Sequence, residues 1–171
     1  EKNRFAYYLD VIGATDLVRT DDLYFNTSIS GNSLRFRAEV GPGQFFEQVY
    51  VINDENYNID YKINYGGVGS LFKRDVESIK LKWINYLDKI EQNTQYESTM
   101  SSIYFKENEE DPDWCSCTSD DVEELGGRPL KWVANSNQFF ESALITKGES
   151  FKGAVLETKS MEEGDENLKV L

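Results

Sequence analysis

The stretch NYNIDYKINYGG, residues 56–67, alternates apolar and polar side chains and decides the predicted fold class. Its apolar residues occupy every second position and are Tyr57, Ile59, Tyr61, Ile63 and Tyr65. Successive side chains of a strand point to opposite sides of a sheet, so this spacing predicts a β-strand and matches no helical period. We expect these five residues to be buried between two sheets, with the polar residues in solvent.

Further strands are predicted along the chain from similar patterns. They span residues 5–12, 23–25, 34–40, 45–52, 77–86, 101–106, 139–146 and 151–159. The segment 76–93 also fits a helical period, but the strands on both sides of it favour a strand over 77–86. Residues 133–138 are predicted to form a turn or a short helix. The polar turn at 53–56 predicts a hairpin.

The number of strands predicts the architecture. Nine or ten short strands with little helix are typical of an all-β, mainly antiparallel sandwich. A chain of 171 residues is the size of one globular domain, so we expect residues 1–171 to form a single domain. Because the chain begins at Glu1 without an initiator methionine, we interpret it as a piece of a larger protein.

The net charge narrows the range of partners. The formal charge is −13, from 18 basic and 31 acidic residues, and the basic residues form no cluster. Such a surface is a poor match for nucleic acid and would be repelled by an anionic membrane. The sequence contains neither a long apolar run typical of a membrane span nor a signal peptide. We therefore expect that this chain is not itself inserted in a membrane.

Histidine is absent, and this limits the chemistry that the chain can perform. Histidine is the commonest general base near neutral pH and the commonest metal ligand. Neither a Ser-His-Asp nor a Cys-His arrangement can be built without it. The sequence therefore predicts a protein that is not an enzyme and that has no catalytic residues, cofactor or metal.

Two cysteines, Cys115 and Cys117, lie one residue apart. Two thiols could supply half of a zinc site, but no second cysteine pair and no histidine completes the ligand set. A redox pair or a strained disulfide is the sharper alternative, and two loop thiols without a role is the simpler one.

Carboxylates are abundant, and two pairs could act as acid and base: Glu109 with Asp111, and Asp120 with Glu123. In a chain this acidic, most such pairs are solvated surface residues. The acidic segment 107–113 could also bind calcium, although its spacing does not match an EF-hand loop.

Aromatic residues form 13% of the chain. For Tyr57, Tyr61 and Tyr65 we expect core packing, and we expect the same for the three tryptophans. These are Trp83, Trp114 and Trp132. If Trp83 or Trp114 were exposed, an aromatic surface for binding sugar or peptide would be the alternative.

One stretch late in the chain resembles a known family. Residues 131–145 read KWVANSNQFFESALI, which is similar to a stretch near the end of the large periplasmic domain of the YidC family of membrane protein insertases. Other similar stretches follow in the family's order at residues 22–25, 48–65, 79–83 and 95–106. The chain departs from the family at Asn137, where the family has glutamine, and at the two cysteines, which match no family motif.

The resemblance implies a fold and a location. The implied fold is a β-supersandwich similar to that of galactose mutarotase. The implied location is the periplasmic face of the inner membrane of a Gram-negative bacterium, where the full-length protein would cross the membrane several times. The insertase activity of the family belongs to a membrane-embedded core that this chain does not include. A mutarotase-like activity is disfavoured, because that chemistry uses histidine.

The resemblance also implies partners and a role. The domain would act as a scaffold or as a docking surface, and the partners of the full-length protein would be accessory proteins of the Sec translocon and nascent membrane proteins. The first alternative is a carbohydrate-binding module on the same fold. The second is a cell-surface adhesion domain, which would not explain the ordered series of matches.

Overall fold

The computed structural model describes residues 2–73 and 76–171, and these residues form four antiparallel sheets. The strands are β1 (Arg4–Leu9), β2 (Val18–Arg19), β3 (Asn26–Ser30), β4 (Ser33–Gly41), β5 (Gln44–Ile52), β6 (Ile59–Gly66), β7 (Lys80–Ile84), β8 (Tyr86–Asp88), β9 (Ser102–Glu107), β10 (Asp113–Trp114), β11 (Asp121–Glu124), β12 (Leu130–Ser136), β13 (Glu141–Ile145), β14 (Val155–Ser160) and β15 (Asn167–Val170). The helical elements are a 3-10 turn at Thr20–Asp22 and α1 (Thr94–Thr99). The prediction of an all-β, mainly antiparallel fold is confirmed.

The chain divides into two compact units. One unit contains Trp83–Leu171 together with the amino-terminal residues up to Arg4, and the other is Phe5–Lys82. Each unit has a hydrophobic core of its own. That residues 1–171 act as a single domain stays a prediction.

The unit that contains Trp83–Leu171 is a sandwich of two four-stranded sheets. One sheet has the strand order β10-β9-β12-β13 and the other has the order β11-β14-β15-β8. Both sheets contribute to one buried core. Its fully buried members are Leu87, Ile103, Phe105, Cys115, Leu125, Leu130, Leu156, Leu168 and Leu171.

The unit Phe5–Lys82 is built mainly from the sheet β3-β4-β5-β6 and the smaller sheet β2-β1-β7. Its core consists of Tyr7, Leu9 and Phe46, with Tyr61 and Ile63 packed against them. The hydroxyl of Tyr61 donates a hydrogen bond to Gln48 Oε1 at 2.8 Å. Burial raises the pKa of Tyr61, so this hydroxyl stays protonated well above neutral pH.

The alternating stretch forms a strand as predicted, because β6 pairs with β5 from Ile59 to Gly66. Its burial is only partly as predicted. Tyr61 and Ile63 are half-buried, whereas Tyr57, Ile59 and Tyr65 are 106%, 57% and 60% exposed, so the expectation of core packing is wrong for these three. Alternation assigns residues to a face, but burial also requires an opposing layer. Among the described residues, the members of β6 that pack against the core are Tyr61 and Ile63, in the middle of the strand.

Elsewhere the strand predictions differ from the structure in a few places. The prediction of a strand over 77–86 is only partly right: β7 covers Lys80–Ile84 and β8 begins at Tyr86, whereas residues 77–79 and residue 85 are in no strand. The expected turn or helix at 133–138 is wrong, because β12 runs through Ser136 and pairs with β9 on one side and β13 on the other. Pairing on both sides outweighs the weak local signal. Residues 23–25 form no strand, and five other observed strands were not predicted: β2, β3, β10, β11 and β15.

Helix α1 was also not predicted, and its start has a clear cause. The side chain of Asn93 precedes the helix and accepts a hydrogen bond from the backbone N–H of Tyr96 at 3.1 Å. This is the usual capping interaction of asparagine. The buried carboxylate of Glu97 in the same helix accepts from the backbone N–H groups of Ile90 and Glu91, which fixes the preceding loop.

Candidate functional site

The structure places the four paired carboxylates in different surroundings. Glu109 and Asp111 are exposed on a loop. Asp120 accepts a hydrogen bond from the backbone N–H of Ser160 at 2.8 Å, and Glu123 forms an ion pair with Arg128 at 3.2 Å. Over residues 2–73 and 76–171, no group of three or more Cys, Asp or Glu side chains is placed to hold a metal ion.

Both cysteines are free thiols, and the structure gives Cys115 a packing role. Its side chain is 1% exposed, its backbone N–H donates to Ile103 O at 2.9 Å, and its carbonyl accepts from Ser102 Oγ at 2.6 Å. Burial, reinforced by Asp121 and other nearby carboxylates, raises the pKa of Cys115 to about 12. A thiol that stays protonated is a poor nucleophile and a poor metal ligand.

The two thiols are expected to differ in reactivity. In the native protein at pH 9, iodoacetamide should alkylate the half-buried Cys117 and leave Cys115 unmodified, because Cys115 is buried and its raised pKa keeps its thiol protonated. Mass spectrometry of the digested protein measures both positions. Denaturation in urea at the same pH should make both residues react, which provides the control. Equal native rates at the two positions would contradict the assignment of Cys115 to the core.

The outward face of the sheet β10-β9-β12-β13 presents a different kind of site. In the register of this sheet, Trp114 lies opposite Tyr104, and Trp132 lies opposite Ile145. Tyr104 is in turn paired with Ala134, two residues along β12 from Trp132, so these side chains share one face with Lys106, which is paired with Trp132. We call Tyr104, Trp114, Trp132 and Ile145 the apolar platform.

The apolar platform is accessible to solvent. Trp114 is 56% exposed and Ile145 is 64% exposed, while Tyr104 and Trp132 are half-buried. The rings of Tyr104 and Trp114 are 6.4 Å apart between centroids. The side chains of the opposite face, including Ile103 and Phe105, belong to the core. Exposed apolar groups that lie together on one sheet face are characteristic of binding surfaces.

The platform was only partly anticipated from the sequence. The expectation that Trp114 is buried is wrong, because β10 is a two-residue strand at the sheet edge and its tryptophan points outward. Trp83 and Trp132 are half-buried. The alternation of Tyr104 with Ile103 and Phe105 was the available signal, since it placed Tyr104 on the face opposite two core residues.

The stretch that carries the resemblance, residues 131–145, forms most of β12, a tight turn and β13. Asn137 closes the turn: its side-chain Oδ1 accepts from the backbone N–H groups of Phe139 at 2.8 Å and Phe140 at 2.7 Å. This is an Asx-type turn, which a longer glutamine side chain would not reproduce in the same way. Phe139 and Phe140 are 50% and 72% exposed, which the sequence did not predict.

Comparison with known proteins gives consistent matches. The chain is 27% identical over 168 residues, 96% of its length, to the "Membrane protein insertase YidC" of Parabacteroides distasonis. It is 26% identical over 154 residues, 90% of its length, to the protein of the same name in Porphyromonas gingivalis. The chain resembles YidC-type insertases. The protein of that name in Phocaeicola vulgatus is 24% identical to it over 158 residues, 92% of the chain.

The chain spans about a quarter of the length of these YidC relatives: 26%, 24% and 25% of the three proteins, respectively. No protein-family model matches it, and no solved structure matches it. The similarity to galactose mutarotase therefore stays a prediction. Among the described residues, no helix has the length and apolar character needed to cross a membrane.

Proposed function

We propose that this chain is a non-catalytic periplasmic domain of a YidC-type membrane protein insertase, at the periplasmic face of a Gram-negative inner membrane. The domain acts as a scaffold or as a docking surface while the full-length protein assists the insertion of membrane proteins. The proposal includes nascent membrane proteins and accessory proteins of the Sec translocon as partners. Similarity to named insertases over about nine-tenths of the chain is the observation that carries it.

The structure supports docking rather than catalysis through the character of its exposed groups. Asp120 accepts a backbone hydrogen bond and Glu123 forms an ion pair with an arginine, and the buried thiol is held in its protonated form. The apolar platform, in contrast, offers an extended surface of aromatic and aliphatic groups. Such groups bind by excluding water and are enriched at the centres of protein interfaces.

Carbohydrate binding is the second candidate, and the exposure of Trp114 is the observation that favours it. An exposed tryptophan beside a tyrosine can stack on a sugar ring. This hypothesis requires that a bound sugar protect the fluorescence of Trp114 from a soluble quencher. It also requires that the variant Trp114→Ala no longer bind the sugar in titration calorimetry.

Photo-crosslinking in the full-length protein tests the docking role. A photo-reactive amino acid replaces Trp114 or Ile145 in the native membrane, and we expect crosslinks to a Sec component or to an arrested nascent membrane protein. The matched control positions are Tyr24 and Tyr57, which are 98% and 106% exposed but lie outside the platform. Crosslinks at the platform should exceed those at the controls by at least tenfold.

Two outcomes would contradict this proposal. Equal yields at platform and control positions would mean that the crosslinks report random collision. Silence at the platform, together with protection of Trp114 by sugars, would replace docking with carbohydrate binding. The insertion of a reporter membrane protein by the same variants, measured by protease protection, shows whether each full-length protein remains active.

A further inference from the structure

Strand β13 lies at the end of the sheet β10-β9-β12-β13, and no other strand among the described residues pairs with its outer side, so it forms an open edge. Two backbone hydrogen bonds show which N–H and C=O groups of β13 face β12. The N–H of Thr146 donates to the carbonyl of Lys131 at 3.0 Å, and the carbonyl of Phe140 accepts from the N–H of Asn137 at 2.9 Å. Hydrogen-bonded and non-hydrogen-bonded pairs alternate in an antiparallel ladder. The N–H and C=O groups of the odd-numbered residues therefore face away from β12. These residues are Glu141, Ala143 and Ile145.

Most other edge strands among the described residues are protected against pairing with an added strand, because they are short or carry charged side chains. Strands β2 and β10 have two residues each, and β8 has three. Strand β11 is mostly acidic, β7 contains two lysines, and β6 contains Asp60 and Lys62. Charged side chains and short strands are the usual devices that block edge-to-edge pairing. These edges are poor templates for an added strand.

Two edges lack this protection, and they differ in character. Strand β3 reads NTSIS, so it is polar apart from Ile29. Strand β13 reads ESALI and has one charge, at its first residue. Its outward side chains Ala143 and Ile145 are exposed and adjoin Trp132 of the apolar platform. At β13, an open backbone edge and an exposed apolar surface are therefore continuous.

We infer that β13 is a strand-addition site that takes an extended segment of a partner polypeptide as a fifth strand. The N–H and C=O groups of Ala143 and Ile145 pair with the backbone of this segment. Every second side chain of the segment lies on the face of the apolar platform, beside Ile145. Backbone pairing gives affinity, and the platform selects apolar side chains at alternate positions. This inference rests on the proposed docking function and specifies its mode.

The charge of the chain argues for a neutral or basic partner segment. Two copies of this chain would each bring a formal charge of −13, and this repulsion disfavours pairing of β13 with its own copy. The carboxylate of Glu141 lies at the first position of β13 and would attract a basic side chain at the corresponding end of the segment. The predicted occupant is thus an extended segment of alternating apolar residues without net negative charge.

The test uses the full-length protein in lipid nanodiscs and a defined peptide. The probe is a short, capped peptide of alternating valine and threonine with a lysine at each end, labelled for fluorescence anisotropy. The matched control peptide has the same side chains but carries N-methyl groups on the residues whose N–H groups would face β13. Because N-methylation removes the backbone donors and blocks close approach to β13 while it keeps every side chain, we expect the control peptide to bind at least tenfold more weakly.

Variants of the protein test the same edge. The variant Ala143→Pro removes an N–H group that points away from β12 and makes no bond to it. The variant Ala143→Lys places a charge at the same position without removing the N–H group, so it tests the edge even if proline disturbs the strand. Both should weaken binding of the probe at least tenfold. Ile29→Lys adds the same charge on the edge strand β3 and should leave binding unchanged. Hydrogen exchange resolved at single amides should show new protection of Ala143 and Ile145 when the peptide binds.

Several outcomes would overturn the inference. These are equal binding of the two peptides, unchanged binding in both Ala143 variants, or no binding of either peptide. Protection of β13 in the absence of peptide, with a dimer in sedimentation, would assign the edge to a second copy instead. If strand addition fails while crosslinking from Trp114 succeeds, docking stands and only its mode is wrong. If both fail, the proposed function fails as well.

Discussion

Gly153→Ala is expected to lower the free energy of unfolding by about 3 kcal/mol or more, because the added methyl group meets backbone atoms that cannot rotate away. A Cβ atom at this position would lie 1.6 Å from the carbonyl oxygen of Gly126 and 2.8 Å from its carbonyl carbon. The φ angle of Gly153 is 153°, a backbone conformation that residues other than glycine rarely adopt. Urea unfolding followed by circular dichroism measures the loss.

Gly148→Ala is the matched control for this variant. A Cβ atom at Gly148 would have no other atom within 4 Å, so its unfolding midpoint should stay close to that of the wild type. If the two variants proved equally stable, the close approach of the backbone at Gly126 and Gly153 would not exist in solution.

Lys169→Met is expected to lower the free energy of unfolding by about 3 kcal/mol, because buried carbonyl groups lose a charged donor. Lys169 is 0% exposed, and its Nζ atom donates to three backbone carbonyls, those of Ser98 at 3.0 Å, Ser101 at 2.9 Å and Cys117 at 2.9 Å. These bonds join β15 to the end of α1 and to the loop after β10. Methionine fills similar volume but donates no hydrogen bond.

Lys159→Met provides the control, because Lys159 lies on the neighbouring strand β14 but is exposed. The free energy of unfolding of Lys159→Met should remain within about 0.5 kcal/mol of that of the wild type. Equal losses in the two variants would show that Lys169 is not a structural link.

The stability difference between wild type and Lys169→Met should also depend on pH. Burial lowers the pKa of Lys169 below its ordinary value of 10.5, so the unfolded chain holds this proton more readily than the folded chain. Stability rises with pH wherever the unfolded state binds more protons. The advantage of the wild type over the variant should therefore grow as the pH approaches 10.5 from below, and a constant difference would contradict a desolvated lysine.

Local patterns predicted the strands of this protein better than they predicted its surfaces. The alternation in residues 56–67 and in 34–40 was sufficient for β6 and β4, since the side-chain period of a strand is visible in the sequence. The burial of Lys169 could not be predicted, because its three partners lie between 52 and 71 residues away along the chain. Long-range contacts of this kind leave no periodic signal.

The candidate site was also predictable from local sequence only in part, because it depends on contacts between distant strands. The stretch 131–145 was recognised from its residues, yet the platform also needs Tyr104 and Trp114 from strands that precede it. Trp114 was expected in the core because large aromatic residues usually lie there. Its exposure follows from its place on a two-residue edge strand, which only the pairing of β10 with β9 reveals.

The open edge of β13 has a consequence beyond recognition of a partner. An unpaired edge offers its backbone groups to other extended chains as well as to its partner, so misfolded or incompletely folded polypeptides can compete for it. The exposed Phe139 and Phe140 beside it add to this hazard, because apolar side chains stabilise aggregates once strands have joined. Glu141 is the one charged residue of β13, and a charge beside an apolar strand is a usual means of limiting such aggregation.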